Sequence, residues 1–156
     1  MAGSGAPSLA IEAEGLRVAV LAGSWHEEIM NGLIEGACST LQSAGAEFEL
    51  HRVAGAFELP VAAQAALAGE FDAVVCLGVI VRGGTPHFDY VCNAVTDGLT
   101  RVALDTGKAV GFGVLTVDTD EQAFQRSGLP GSQESKGQEA AEAALNTALL
   151  VSQLRG

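Results

Sequence analysis

Residues 73–81 read AVVCLGVIV, nine positions without a charged, hydroxyl or amide side chain. Such a run is far too short to cross a bilayer, which takes about 20 residues. A strand wet on one face would alternate apolar and polar residues. A continuous run needs cover on both faces, as in the middle of a parallel sheet with helices above and below it. The rest of the chain must then supply neighbouring strands and two helical layers.

It does so in strict alternation. Residues 17–22 read as a short buried strand. Ser24-Trp25-His26-Glu27 fits a capping box that opens a helix to about residue 44, with Ile29, Leu33, Ala37 and Leu41 recurring every four residues. Residues 47–53 form a second strand, in which Phe48 and Leu50 alternate with charged neighbours. Gly55 breaks it, and 57–67 is a helix with Pro60 in its first turn. After the apolar strand, Thr85 as N-cap and Pro86 at the first helical position open a helix to about residue 105, with Val91, Val95, Leu99 and Val102 on one face. Residues 109–116 are the fourth strand. Thr119 and Gln122 frame a second capping box before a short helix ending near Ser127. Residues 128–134 are loop, and Ser135 and Gln138 frame a third box before a last helix over 139–154. This βαβαβαβα order predicts an α/β fold, a three-layer doubly wound sandwich around a central four-stranded parallel sheet.

In such sheets ligands bind beyond the carboxyl ends of the strands, and the unusual residues gather there. Gly23-Ser24-Trp25-His26 follows the first strand and Gly55-Ala56-Phe57-Glu58 the second. Arg82-Gly83-Gly84-Thr85-Pro86-His87 follows the third. Glycines let a backbone turn sharply and aim N–H groups at an anion, and a helix N-terminus adds unpaired donors and partial positive charge. His87 would stand beside such an anion, able to move a proton. Read alone, the same residues also describe a capped helix with a surface histidine.

Each single residue carries two readings. Trp25, the one tryptophan, is either a platform for a flat heterocycle or a partly buried structural ring. Phe57 reads as core packing, and His26 as a solvated first-turn residue. Glu58 is either a dipole-favoured first-turn carboxylate or an acceptor for ligand hydroxyls. His51, mid-strand, reads as structural. Lys136, one of only two lysines, opens the last helix, the unfavourable end for a cation. That placement calls for an anionic ligand or a carboxylate partner. Arg126, just before the glycine-rich loop, is a bidentate phosphate clamp or a surface charge.

Net charge −11 argues against nucleic acid and anionic membranes as partners. With 48% hydrophobic and only 17% charged residues, some surface is expected to be buried in an oligomer. Cys38, Cys76 and Cys92 form no CxxC pair and read as reduced core thiols of a cytoplasmic protein. The start, MAGSGAPSLAIEAEG, lacks the basic and apolar regions of a signal peptide. Residues 1–14 are expected to form a flexible arm and 15–156 one domain. There is no GxxxxGK[ST], no GxGxxG, no nucleophile elbow and no metal-ligand spacing; Gly111-Phe112-Gly113 lies inside an apolar strand. The pattern predicts proton transfer and electrostatics with no metal and no cofactor.

GAFELP at 55–60, LGVIVRGGTPHFDYV at 77–91 and the Arg126…Lys136-Gly137 segment resemble the lumazine synthase family, over about residues 15–154. GSWH at 23–26 is similar to its actinobacterial members. The resemblance implies a flavodoxin-like fold and a transferase of riboflavin biosynthesis. It would join 5-amino-6-(D-ribitylamino)uracil to 3,4-dihydroxy-2-butanone 4-phosphate, giving 6,7-dimethyl-8-ribityllumazine, phosphate and water. It implies that Trp25 stacks on the pyrimidine. Ala56, Phe57 and Glu58 hold the ribityl chain, and Ile80 and Val81 meet the pyrimidine edge through their backbone. Gly84, Thr85 and Arg126 hold phosphate, and His87 shuttles protons. Phe112, Val114 and Lys136 complete the pocket from a neighbouring subunit. Small-molecule substrates and a homo-oligomer follow, with the long 128–135 loop favouring a pentamer or decamer over a sixty-subunit shell. Association with riboflavin synthase stays open. Rival readings are a flavin- or lumazine-binding module, a structural shell protein and a flavodoxin-like electron carrier.

Overall fold

A computed structural model describes Gly5 and residues 11–156; most of the arm expected over 1–14 lies outside the described residues. Four strands form one parallel sheet: β1 (Arg17–Ala22), β2 (Glu47–Arg52), β3 (Ala73–Val81) and β4 (Ala109–Val117), in the order β2-β1-β3-β4. The helices are α1 (Glu27–Ser43), α2 (Leu59–Ala68), α3 (His87–Thr106), α4 (Asp120–Gln125) and α5 (Lys136–Arg155). The architecture is the α/β flavodoxin-like three-layer sandwich. Among the described residues no helix is long and apolar enough to cross a membrane.

β3 lies inside the sheet, paired with β1 on one side and β4 on the other. Its side chains go alternately into two cores, which is why the run is continuous. Val75, Leu77 and Val79 join Val18 and Val20 of β1 against Leu33, Ala37 and Leu41 of α1 and Ala141 and Leu145 of α5. Val74, Cys76 and Ile80 join Ala19 and Leu21 against Leu59, Ala63 and Leu67 of α2 and Val95 and Leu99 of α3. Cys76 is fully buried, and burial pushes its thiol up to about 12. Cys38 and Cys92, expected as core thiols, are only half-buried.

Several boundaries differ from the sequence expectation for identifiable reasons. Ser24 does not cap α1. Its hydroxyl donates to the Val53 carbonyl at 2.7 Å and its N–H to the Ala54 carbonyl at 3.3 Å, tying the loop after β1 to the loop after β2. His26 takes the flanking position instead, at φ 53°, the one non-glycine residue in the left-handed region among the described residues. The segment after β2 begins as a 3₁₀ turn, Ala56–Glu58, before α2. At α3 the helix starts at His87, so Pro86 precedes it, and Thr85 Oγ1 accepts from the His87 N–H at 3.4 Å. Thr119 caps α4 through the Gln122 N–H at 3.1 Å, but Gln122 Oε1 returns to the Asp118 N–H, one residue earlier than a capping box requires. Ser135 caps α5 through the Gln138 N–H, which starts that helix at Lys136 rather than Glu139.

Close approach sets the second layer. A Cβ on Gly111 would meet the Ala140 carbonyl of α5, and one on Gly137 would overlap the Leu33 carbonyl of α1. Gly137→Ala should therefore destabilise by about 1–3 kcal/mol or more, the range for overpacking. Gly83→Ala, with no atom within 4 Å of the added methyl, should stay within about 0.5 kcal/mol, as for an ordinary surface change. Thermal midpoints compare the two; equal shifts would show that helix approach does not limit stability.

Candidate functional site

The strand order reverses between β1 and β3, and the three loops leaving β1, β2 and β3 meet at that switch point. Backbone and side-chain bonds hold them in register. Gly23 N–H donates to Leu77 O at 3.0 Å, and the Arg52 guanidinium donates to Gly23 O at 2.9 Å and Ala22 O at 3.3 Å. Between the loops opens a cleft of about 660 Å³. Trp25, His26, Gly55, Ala56, Phe57, Glu58, Ile80, Val81, Gly83, Thr85 and His87 line it, with Val79, Phe88, Tyr90 and Val91.

Its aromatic wall is unusually bare. Trp25 is 67% exposed, Phe57 62% and Tyr90 72%. Phe57 is therefore not core packing; the 3₁₀ turn swings its ring outward, while Leu59 takes the buried position. Gly55 makes room for Trp25: a Cβ there would stand 3.1 Å from the indole Nε1 and 3.4 Å from Glu58 Oε1. Its backbone is extended, so the need for glycine is steric. The ring and the carboxylate thus approach each other across one bare backbone position. A flat heterocycle with hydroxyls attached matches a ring beside an acceptor.

The other end of the cleft is glycine-rich. Gly83 and Gly84 have no atom within 4 Å of an added Cβ and no left-handed φ. The fold itself does not require glycine there; the space stands open in front of the backbone, beside Thr85 and the start of α3. His87 stands exposed on that first turn. Gly84 borders this space but does not line the cleft.

Four expected site residues lie elsewhere on the chain. Arg126, at the end of α4, donates through its guanidinium to Gln122 O at 2.9 Å. Phe112 sits on the open edge of β4, 44% exposed. Val114 is buried behind the cleft; a Cβ on Gly78 would lie 3.4 Å from it and 3.2 Å from Ala56. Lys136 bridges Glu134 at 3.0 Å and Glu139 at 3.1 Å, all three side chains largely buried. The carboxylate partners foreseen for a cation at a helix N-terminus are thus present. Burial works to lower its pKa, but the bonds to Glu134 and Glu139 outweigh that and raise it. His51, exposed, pairs with Glu49 at 3.0 Å.

His26, which reads from the sequence as a solvated first-turn residue, and Tyr90 both line the cleft. Tyr90 was findable: it stands three residues after His87, on the same side of a helix. His26 follows β1 beside Trp25, at the sheet edge where ligands bind, and it lines the cleft with a left-handed backbone. Among the described residues no three His, Cys, Asp or Glu side chains converge as a metal-ligand set. A larger groove of about 850 Å³ lies between Ile11, α1 and α5, without aromatic or histidine groups.

A family model described as 6,7-dimethyl-8-ribityllumazine synthase matches residues 15–152. A protein of that name from Leifsonia xyli subsp. xyli is 63% identical over 158 residues, covering 100% of both chains. One from Kocuria rhizophila is 60% identical, covering 96% of this chain and 97% of its own. One from Streptomyces avermitilis is 56% identical, covering 95% and 93%.

Two outcomes are expected. Gly55→Val should displace the sole tryptophan, read as a changed emission maximum and greater acrylamide quenching; an unchanged spectrum would mean that Trp25 does not rest on this backbone. Lys136→Met should destabilise by roughly 3 kcal/mol, because two partly buried carboxylates lose their counter-charge, and adding Glu134→Gln should recover part of it. Since the Lys136 pKa is raised, its stabilisation is complete below the unfolded value of about 10.4 and fades as pH rises through the folded value. In a pH series of thermal midpoints, the gap between wild type and Lys136→Met should close as pH rises through that alkaline range.

Proposed function

The chain belongs to the 6,7-dimethyl-8-ribityllumazine synthase family, and on that premise we infer that it condenses 5-amino-6-(D-ribitylamino)uracil with 3,4-dihydroxy-2-butanone 4-phosphate. The products are 6,7-dimethyl-8-ribityllumazine, phosphate and water, and the enzyme is a transferase of riboflavin biosynthesis. The observation that carries this reading is the convergence of an aromatic plate, a carboxylate, an open glycine backbone and a histidine on one cleft.

The chemistry needs little more. An amine of the pyrimidine adds to the ketone, and loss of water gives an imine. A proton leaves the adjacent carbon, phosphate departs by elimination, and ring closure releases a second water. These steps call for positioning, proton transfer and a cradle for the leaving anion. Trp25 is assigned to stack on the pyrimidine. Ala56, Phe57 and Glu58 hold the ribityl chain, with Glu58 accepting from its hydroxyls. The backbone of Ile80 and Val81 meets the pyrimidine edge at the end of β3. Gly84 and Thr85 receive the phosphate at the start of α3, joined by Arg126. His87 moves the proton.

Arg126, Phe112, Val114 and Lys136 do not line the cleft of a single chain. We assign Phe112, Val114 and Lys136 to the site of an adjacent protomer in a homo-oligomer, and Arg126, which likewise lies outside its own chain's cleft, to the phosphate there. Support comes from the β4 edge, where Phe112 and Val114 share one face of the strand, and from the uncovered Phe57, Val61, Tyr90 and Leu104. The 128–135 loop, closed by the Ser127–Ser135 bridge and seated on Gly32 through Leu129, favours a pentamer or decamer over a sixty-subunit shell. Sedimentation at shell size would overturn that assembly.

The founding test mixes the purified protein with both substrates, adding no metal or cofactor, and follows lumazine fluorescence against a protein-free blank. A rate equal to the blank would refute the synthase. His87→Ala should lower turnover by about 10²–10⁴-fold, the span of general acid–base catalysis. Arg126→Ala and Trp25→Ala should raise KM for butanone phosphate and for pyrimidine, respectively. If His87→Ala abolishes turnover while the other two leave kinetics unchanged, the assigned roles fail.

A further inference from the structure

Arg82 opens the glycine-rich segment after β3, where a cation suits an anion site. Its side chain does something else. Nε donates to Asp118 Oδ1 at 2.7 Å, Nη1 stands 3.6 Å from Asp89 Oδ1, and the guanidinium lies 4.4 Å over the Phe88 ring. Arg82 itself does not line the cleft, whereas Phe88 does. Two carboxylates around one guanidinium leave the cluster formally negative, an unfavourable place for phosphate. Asp118 is anchored in turn, its N–H donating to Gln122 Oε1 at 2.7 Å, and the Arg82 N–H donates to Val117 O at 2.9 Å.

The three contacts tie the end of β3, the first turn of α3 and the β4–α4 junction together. Two of them grip Phe88 and Asp89, the residues that immediately follow His87. Phe88 also packs into the core shared by β3, α2 and α3, and the polar side-chain contacts that hold the turn from outside are the long Thr85 bond and the guanidinium. We propose that Arg82 is a positioning residue: through Phe88 and Asp89 it fixes the first turn of α3, and with it the imidazole of His87, and it does not bind substrate phosphate. The clamp uses both properties that distinguish arginine from lysine, a planar fork for carboxylates and a flat face for an aromatic ring. Its guanidinium pKa is raised, chiefly by the Asp118 bond.

The proposal rests on the synthase reading for its kinetic arm and on no reading at all for its structural arm. Arg82→Met, Arg82→Lys and Asp118→Asn are compared with wild type in the full-length protein. Hydrogen exchange at residues 87–91 should rise at least about tenfold in Arg82→Met, while β3 and β4 amides keep their protection. In the lumazine assay kcat should fall roughly 10- to 100-fold, as for a catalytic group displaced by about 1 Å, with KM for butanone phosphate within about threefold. Arg82→Lys should resemble Arg82→Met, and Asp118→Asn should shift both readouts in the same direction. A raised KM for butanone phosphate with kcat retained would make Arg82 a phosphate ligand and overturn the proposal. Wild-type exchange and wild-type kcat together would overturn it as well, leaving only a surface pair. An inactive wild-type protein would count against the synthase, and the exchange data alone would then decide the clamp.

Discussion

The structure depends on burying both faces of β3. A strand with Val75, Leu77 and Val79 on one side and Val74, Cys76 and Ile80 on the other cannot rest on a single helical layer. It therefore forces α1 and α5 to one face and α2 and α3 to the other. Because parallel neighbours need crossover connections, each strand must hand the chain to a helix. The carboxyl ends then share one edge, and the loops leaving them have nowhere else to go. The functional cleft is a by-product of that geometry.

Close helix approach is the second requirement. Gly111 and Gly113 flatten β4 beneath Ala140 and Ala144, and Gly137 brings α5 against Leu33 of α1. Helices seated so deeply leave little slack, so the loops can be tied to one another with short bonds. Ser24 reaches Val53, Arg52 reaches Gly23, and Lys136 locks Glu134 to Glu139. Rigid loops can leave Trp25, Phe57 and Tyr90 uncovered without collapse of the cleft, which would otherwise close over so much apolar surface.

Much of this is legible before any coordinates. The strands are marked by apolar runs, and β1 and β3 begin and end where the composition changes. The sheet class follows from alternation alone. The glycine-rich turn before His87, the bare Gly55 beside Glu58 and the lone Trp25 all sit at strand ends in the sequence, and they line one cleft in the fold. Phe57 reads as core because an aromatic before an apolar helix fits its hydrophobic period; a three-residue 3₁₀ turn rotates it out of that period.

What the sequence by itself determined is the set of elements, their order and the edge where function gathers, because these depend on local hydrophobic period and on connections that have only one economical arrangement. Tertiary structure alone decided where polar side chains spend their hydrogen bonds. Ser24 looks like a cap and bonds a loop 29 residues away; Arg82 looks like an anion donor and grips Asp118, 36 residues away. A hydroxyl or guanidinium has several partners of similar strength within its own segment. Which partner wins is set by the packing that brings distant groups within hydrogen-bond reach, and no local pattern encodes that distance.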